Sequence, residues 1–316
     1  MNEVSGKIIA EENICIITHI SPDGDALGSS LALYILLKNM GKKCRILCDD
    51  MIPHKYMFLP RVQDIARPEK GEACGCAVSV DCADLHLMGD ASELFKAARL
   101  QVCIDHHASN PHYAPHEVLD TGASSAGEVV FNIIQDMQAQ ITDDIAICLF
   151  TAISADTGNF SYSNTSKQTF LAAAELSTHN IDIVDITSRL HKIRSATYMR
   201  LLARTLKSLT LYLDGKLAVI SLTKQEIDEL QDGVTEYEGL IDSAREIEGV
   251  EAAAFLREVG ENRYKVSLRS RPQIDVRLLA EKYSGGGHTN AAGCQINGTL
   301  EEAIQTLTKE FGVILG

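Results

Sequence analysis

The chain has 316 residues, 45% of them hydrophobic and 23% charged, enough for two domains of ordinary size with packed cores. Its formal net charge of −14 excludes broad, sequence-independent binding of long duplex nucleic acid, which depends on many Lys and Arg contacts to phosphate. A small anion held at a local site is not excluded. The longest apolar stretch, 146–154, is far short of the ~20 residues of a membrane span. Residues 1–10 carry acidic groups and no apolar core, so no signal peptide is expected either. A protein of the cytoplasm, with no membrane contact, is the expectation. Most of the nine cysteines, among them Cys15, Cys82, Cys103 and Cys148, lie inside apolar patterns and read as small buried hydrophobes in a reducing compartment. The close pair Cys74-Gly75-Cys76 has no second pair at zinc spacing.

In chain order, residues 13–20 form a continuous apolar run, as expected of a buried parallel strand. A Pro-Asp-Gly-Asp turn follows at 22–25. Helical spacing then runs over 26–40 and stops at Gly41, a natural C-cap. Further strands are predicted at 44–48, 77–82 and 100–105, and helices at 126–137 and 143–155. This alternation implies an α/β fold with a parallel sheet covered by helices on both faces. The stretch 181–211 reads as helix with spaced Arg and Lys, and a strand resumes at 216–222. Alternating runs at 253–256 and 264–268 flank a polar turn at 260–262, a hairpin signature. A helix at 276–283 runs into Gly285-Gly286-Gly287-His288. The expected organisation is a first domain over 1–190, a helical connector over 191–214, and a smaller α/β domain with a mixed sheet over 215–316.

Acids and histidines recur where the predicted strands end. His19, Asp23 and Asp25 follow the first strand, Asp81 ends the third, Asp105 ends the fourth with His106 and His107 directly behind it, and Asp156 ends a helix. In open α/β sheets ligands bind beyond the carboxyl ends of strands, so these side chains fall in one crevice. Taken singly each has a plain reading: Asp25 as a helix cap, Asp81 as a turn residue, His107 as a surface loop histidine. Their order at successive strand ends favours a shared site. Asp156 sits where the helix dipole disfavours an acid, which points to a cation. Carboxylates and imidazoles together suit Mn²⁺ or Mg²⁺, and four or more carboxylates leave room for a metal pair, the equipment of phosphate ester hydrolysis.

His19-x-x-x-Asp23-x-Asp25, Asp81, Asp105-His106-His107 and Asp156-Thr157-Gly158 together resemble the signatures of the DHH phosphoesterases. Gly285-Gly286-Gly287-His288 with Ala291-Ala292-Gly293 resembles the DHHA1 domain. The resemblance spans nearly the whole chain and is nearest to the standalone DHH–DHHA1 nanoRNases and pAp phosphatases. It implies one ion held by His19, Asp23 and Asp81 and another by Asp25, Asp81, His106 and Asp156, with Asp81 as the bridge. Mn²⁺ is the first choice of metal and Mg²⁺ the second. Asp105 would support the site, fixing the tautomer of a ligating histidine, and His107 would face the phosphoryl group. Substrate binding would fall to Arg269, Ser270, the loop Gly285, Gly286 and Gly287, and His288.

The implied activity is degradation of very short RNA and dephosphorylation of adenosine 3′,5′-bisphosphate (pAp), with a homodimer compatible with it. The nearest rival is turnover of signalling nucleotides, cyclic di-AMP or the linear pApA and pGpG, on the same metal centre. A rival of another class is a non-catalytic RNA-binding module, which would have no need for six ligands.

Overall fold

The computed structural model describes residues 3–69, 71, 73–230, 237 and 239–315, with the side chain of His288 outside the described part. The chain divides into two compact units, Met1–Ile193 and Arg194–Gly316.

The first unit opens with helix α1 (Glu3–Ala10), strand β1 (Asn13–Ile17), helix α2 (Gly24–Asn39) and strands β2 (Lys43–Leu47), β3 (Ile65–Ala66) and β4 (Cys76–Val80). Helix α3 (Ala91–Ala97), strands β5 (Leu100–Asp105) and β6 (His116–Leu119), and helices α4 (Ala126–Asp136), α5 (Asp143–Asp156), α6 (Lys167–Leu176) and α7 (Ile183–Thr187) follow. The six strands make one sheet in the order β3-β2-β1-β4-β5-β6, and every pairing is parallel. The order reverses between β1 and β4, which leaves a crevice at their carboxyl ends.

Alternation along the strands sends Ile14 and Ile16 to one face, against Leu27 and Leu31 of α2 and Ile145 and Leu149 of α5. Cys15 and Ile17 go to the other, against Leu94 and Phe95 of α3. Helices cover both faces, as the sequence pattern implies. Helix α2 is buried along nearly its whole length, because α5 lies directly on it. A Cβ at Gly28 would stand 2.4 Å from the carbonyl oxygen of Cys148, so this crossing requires glycine. Gly41 closes α2 with φ +79°. All nine cysteines are thiols. Among the described residues no helix is long and apolar enough to cross a membrane.

The second unit comprises helix α8 (Ala196–Lys207), strands β7 (Thr210–Tyr212) and β8 (Leu217–Leu222), short helices α9 (Lys224–Asp228) and α10 (Asp242–Arg245), and strands β9 (Ala252–Gly260) and β10 (Arg263–Ser270). Helix α11 (Arg277–Lys282), strands β11 (Gly286–His288) and β12 (Ala291–Asn297), and helix α12 (Leu300–Leu315) complete it. Its sheet runs β11-β12-β10-β9-β8-β7. It is mixed, since β8 and β9 pair in parallel and the other neighbours are antiparallel. Leu307 and Phe311 of α12 pack on one face, and Tyr198 and Leu201 of α8 on the other.

The structure differs from the sequence reading in three places. The helix expected over 181–211 is interrupted: α7 passes into a π-helical turn at Ser188–Lys192, and α8 restarts at the Ser195 cap. Residues 194–214, expected as a connector, pack into the second unit through α8 and β7. The glycine run is not a loop. Gly286–His288 pairs with β12 as the edge strand of the sheet.

Candidate metal centre

Three strands and two helices deliver the acids and histidines to one place. His19 lies two residues beyond β1, with Nδ1 2.7 Å from the carbonyl oxygen of Ile20, which leaves Nε2 to face the crevice. Asp23 caps α2, and its Oδ1 accepts from the N–H groups of Asp25 and Ala26, each at 3.0 Å. Asp25 points the other way. It is 1% exposed and receives the first N–H groups of α4, Ala126 to Oδ2 at 2.7 Å and Gly127 to Oδ1 at 2.9 Å. One acid thus sits against the positive ends of two helices, a favourable place for a buried carboxylate.

Asp81 leaves β4 in the left-handed region, φ 60°, a conformation that costs a non-glycine residue about 1–3 kcal/mol and collects at functional sites. The turn aims its carboxylate into the crevice, where Oδ2 lies 3.7 Å from His19 Nε2 and Oδ1 3.6 Å from His106 Nε2. His106 Nε2 also stands 3.7 Å from Asp25 Oδ2 and 3.7 Å from Asp156 Oδ2. One imidazole nitrogen therefore faces three carboxylates at a distance longer than a hydrogen bond.

Asp105 closes β5 and is fully buried. Its Oδ1 accepts from the N–H of His106 at 2.9 Å and pairs with His107 Nδ1 at 2.8 Å; its Oδ2 accepts from Asn110 Nδ2 at 2.7 Å. The histidine ring that Asp105 orients is therefore that of His107, not of His106. Asn110 carries no sequence signal, because its role depends on a loop folding back onto β5.

The titration of these groups follows from their packing. Burial, joined by the charges of Asp81, Asp156 and Asp23, pushes the Asp25 carboxyl well above its ordinary range. Burial and the charge of Asp23 do the same to Asp81, and burial with Asp23 lifts Asp156 to about 7. Burial and the neighbouring His107 lower His106 to about 4, so its ring is neutral with a lone pair available. Burial also lowers His107, but the hydrogen bond to Asp105 and the charges of Asp81, Asp105 and Asp156 outweigh it and raise the ring to about 9.

These acids raise one another's pKa, and the donors fit a cation. The ligand atoms of His19, Asp23 and Asp81 lie within 4.8 Å of one another, as do those of Asp25, His106 and Asp156, and those of Asp81, His106 and His107. Asp81 Oδ1 is buried without a hydrogen-bond partner, and a buried acceptor in that state is costly unless something fills it. Oxygen and imidazole donors in this mixture match hard divalent ions.

The second unit holds the other candidate residues. Arg269 Nη1 donates to the carbonyl oxygen of Leu268 at 3.1 Å. Ser270 is 4% exposed, donates its hydroxyl to the Ile274 carbonyl at 2.6 Å and accepts from Asn290 at 3.0 Å. That hydroxyl is committed to the turn after β10 and is not available to a ligand. Gly285 and Gly287 are forced by close approach, since a Cβ would stand 2.1 Å from the Gly293 carbonyl oxygen and 2.5 Å from that of Ala291. Gly286 and Gly287 are exposed on the edge strand. Only the backbone of His288 can be placed; its side chain lies outside the described residues.

Both units resemble known proteins. Residues 13–153 match the model of the DHH family N-terminal domain, and residues 220–313 that of the DHHA1 domain. A Thermus thermophilus protein named bifunctional oligoribonuclease and PAP phosphatase NrnA is 34% identical over 93% of this chain and 88% of its own. The Listeria monocytogenes cyclic-di-AMP phosphodiesterase PdeA is 25% identical over 95% of this chain and 47% of its own. The crystal structure of an exopolyphosphatase-related protein from Bacteroides fragilis superposes with a TM-score of 0.90 at 29% identity, covering 96% of this chain and 93% of that one. With a matching family model in each unit and acids and imidazoles gathered at the carboxyl edge of the first sheet, the chain belongs to the DHH family of metal-dependent phosphoesterases.

Proposed function

We propose that this protein uses two divalent ions, Mn²⁺ foremost, to degrade very short oligoribonucleotides to mononucleotides and to remove a phosphate from pAp. The observation that carries this reading is Asp81, whose two oxygens face different imidazoles, His19 and His106, as a carboxylate shared by two ions must. His19, Asp23 and Asp81 hold one ion; Asp25, Asp81, His106 and Asp156 hold the other. Bound there, the ions supply charge stabilisation for the phosphoryl oxygens and a lowered pKa for the attacking water. The near-neighbour in sequence from Thermus thermophilus supports the choice of substrate by its name.

The chain's own groups divide the remaining work. His106 stays neutral and offers Nε2. His107, with Nδ1 held by Asp105, presents Nε2 for donation to a phosphoryl oxygen or to the leaving oxygen. Asp105, fixed in turn by Asn110 and the His106 N–H, keeps that ring from rotating. In the second unit, Arg269, the exposed edge backbone at Gly286 and Gly287 and His288 are assigned to the substrate phosphate, while the Gly285 N–H is taken by the Ala280 carbonyl and Gly285 serves the close approach of the strands. Ser270 holds that segment in shape. Cytoplasmic residence fits nine thiols without a disulfide.

The second reading, turnover of cyclic di-AMP or its linear products, is favoured by the likeness to PdeA, although the chain spans 47% of that protein. The test is a product time course with Mn²⁺ on labelled RNA of two to five nucleotides, pAp, pApA and cyclic di-AMP at matched concentrations. Dinucleotide RNA and pAp are expected to lead. A large preference for cyclic di-AMP overturns the first reading, and no phosphate or nucleotide release from any substrate would leave a non-catalytic RNA-binding module.

A further inference from the structure

Asp25 and Asp156 approach the same histidine from different helices, near the start of α2 and at the end of α5, where the two helices meet closely through Gly24 and Ala155. A chain of hydrogen bonds adds to that packing and fixes the segments that carry both carboxylates. Asn164, in the loop after α5, donates through Nδ2 to the carbonyl oxygen of Asp156 at 3.1 Å and to that of Ser124 at 2.8 Å, and Nδ2 lies 3.4 Å from Asp156 Oδ2. Ser124 begins the turn into α4, and its N–H and hydroxyl donate to Glu128 Oε2 at 3.2 and 2.6 Å. Glu128 is 3% exposed and accepts also from the Thr169 hydroxyl at 2.9 Å. That turn then delivers the N–H groups of Ala126 and Gly127 to Asp25.

A loop cap needs one acceptor on its own loop. Asn164 instead spans two carbonyls from different segments, one belonging to a candidate ligand and the other to the turn that grips a second candidate ligand. A planar amide has two N–H bonds in fixed directions, so both acceptors are held at one spacing. The loop that presents Asn164 contains three successive residues in the left-handed region, Gly158, Asn159 and Phe160, with φ 54°, 56° and 64°. Such a segment keeps its shape when surrounding contacts over-determine it.

We propose that Asn164 is a positioning residue for the ion site formed by Asp25, His106 and Asp156: it sets the spacing of the two carboxylates and thereby the affinity for a divalent ion, without touching that ion. This rests on the two-ion reading above. Groups that orient ligands from outside typically change metal affinity by about 10–100-fold when removed.

The test is calorimetric titration of metal-stripped protein with Mn²⁺ alone, for wild type, Asn164→Ala and Asn164→Leu; the leucine variant keeps volume and removes both donors. Asp25→Asn identifies which binding event belongs to this site. The expected result is that both Asn164 variants weaken that event by about 10–100-fold, leave the other within about twofold, and melt as apo-protein within about 3 °C of wild type. Unchanged affinity overturns the proposal. So does an equal fall of both events with a lowered apo melting temperature, which marks an ordinary structural role. A single event in wild type defeats the two-ion reading, and the proposal then stands or falls on whether that event weakens at unchanged apo stability.

Discussion

The polar groups of the two units are held in opposite ways. In the first unit Asp25, Asp81 and Asp105 are 1%, 3% and 0% exposed; backbone N–H groups hold Asp25, the His106 N–H, His107 and Asn110 hold Asp105, and the left-handed turn after β4 aims Asp81. In the second, Arg269 hydrogen-bonds to the carbonyl of the residue before it, and Gly286 and Gly287 lie exposed on an edge strand. Chemistry on a phosphate needs donors that are already in place and shielded from water, because reorganisation at the moment of reaction wastes their field. Selection among substrates needs groups that can reach a ligand and exchange water for it. Under the proposed function the reaction class belongs to the first unit and the choice of ester to the second, a division that substitutions can break or sharpen.

The largest effect is expected at Asp81. Asp81→Asn should cut turnover by about 10³-fold, the upper range for loss of one preorganised group, and elemental analysis should find less bound metal. Chelation of wild type should abolish activity, and added Mn²⁺ should restore it. His107→Ala should lower kcat by about 10²-fold with metal content unchanged; metal lost in that variant would make His107 a ligand, since it also stands within reach of Asp81 and His106.

In the second unit Gly285→Ala should lower stability to denaturant by about 2 kcal/mol, as overpacking does, because its Cβ meets a carbonyl oxygen at 2.1 Å. Arg269→Ala should raise KM for pAp about tenfold, the worth of about 1.4 kcal/mol, with kcat unchanged in steady-state assays. An equal fall in kcat would place Arg269 with the reacting atoms and erase the division. Gly286→Ala, with open space around its Cβ position, should stay within about 0.5 kcal/mol of wild type in the same unfolding measurement.

Much of the first unit is legible in the residues. Strand β1 is apolar over 14–17 and β5 over 102–104 because a doubly covered parallel sheet buries both their faces, and the acids mark their carboxyl ends. The edges are not legible. Strand β3 has two residues, and every residue of β6 is half-buried, so neither carries an apolar run. The break after α7 is hidden by helical spacing on both sides. The glycine run reads as a flexible turn because its pairing partner, β12, supplies the order.

By itself the sequence determined that carboxylates and imidazoles gather at one sheet edge, since strand polarity and local turns decide which end of a strand a residue occupies. Which of them touch was decided by the tertiary structure. Asp25 takes its N–H donors from α4, 101 and 102 residues away. Asn164 meets Ser124 across 40 residues, and Asp105 orients His107 in place of His106 because the backbone turns after β5. Local pattern carries periodicity and polarity, but the partner of a buried polar group is whatever the packing of distant elements brings within 3 Å or so of it.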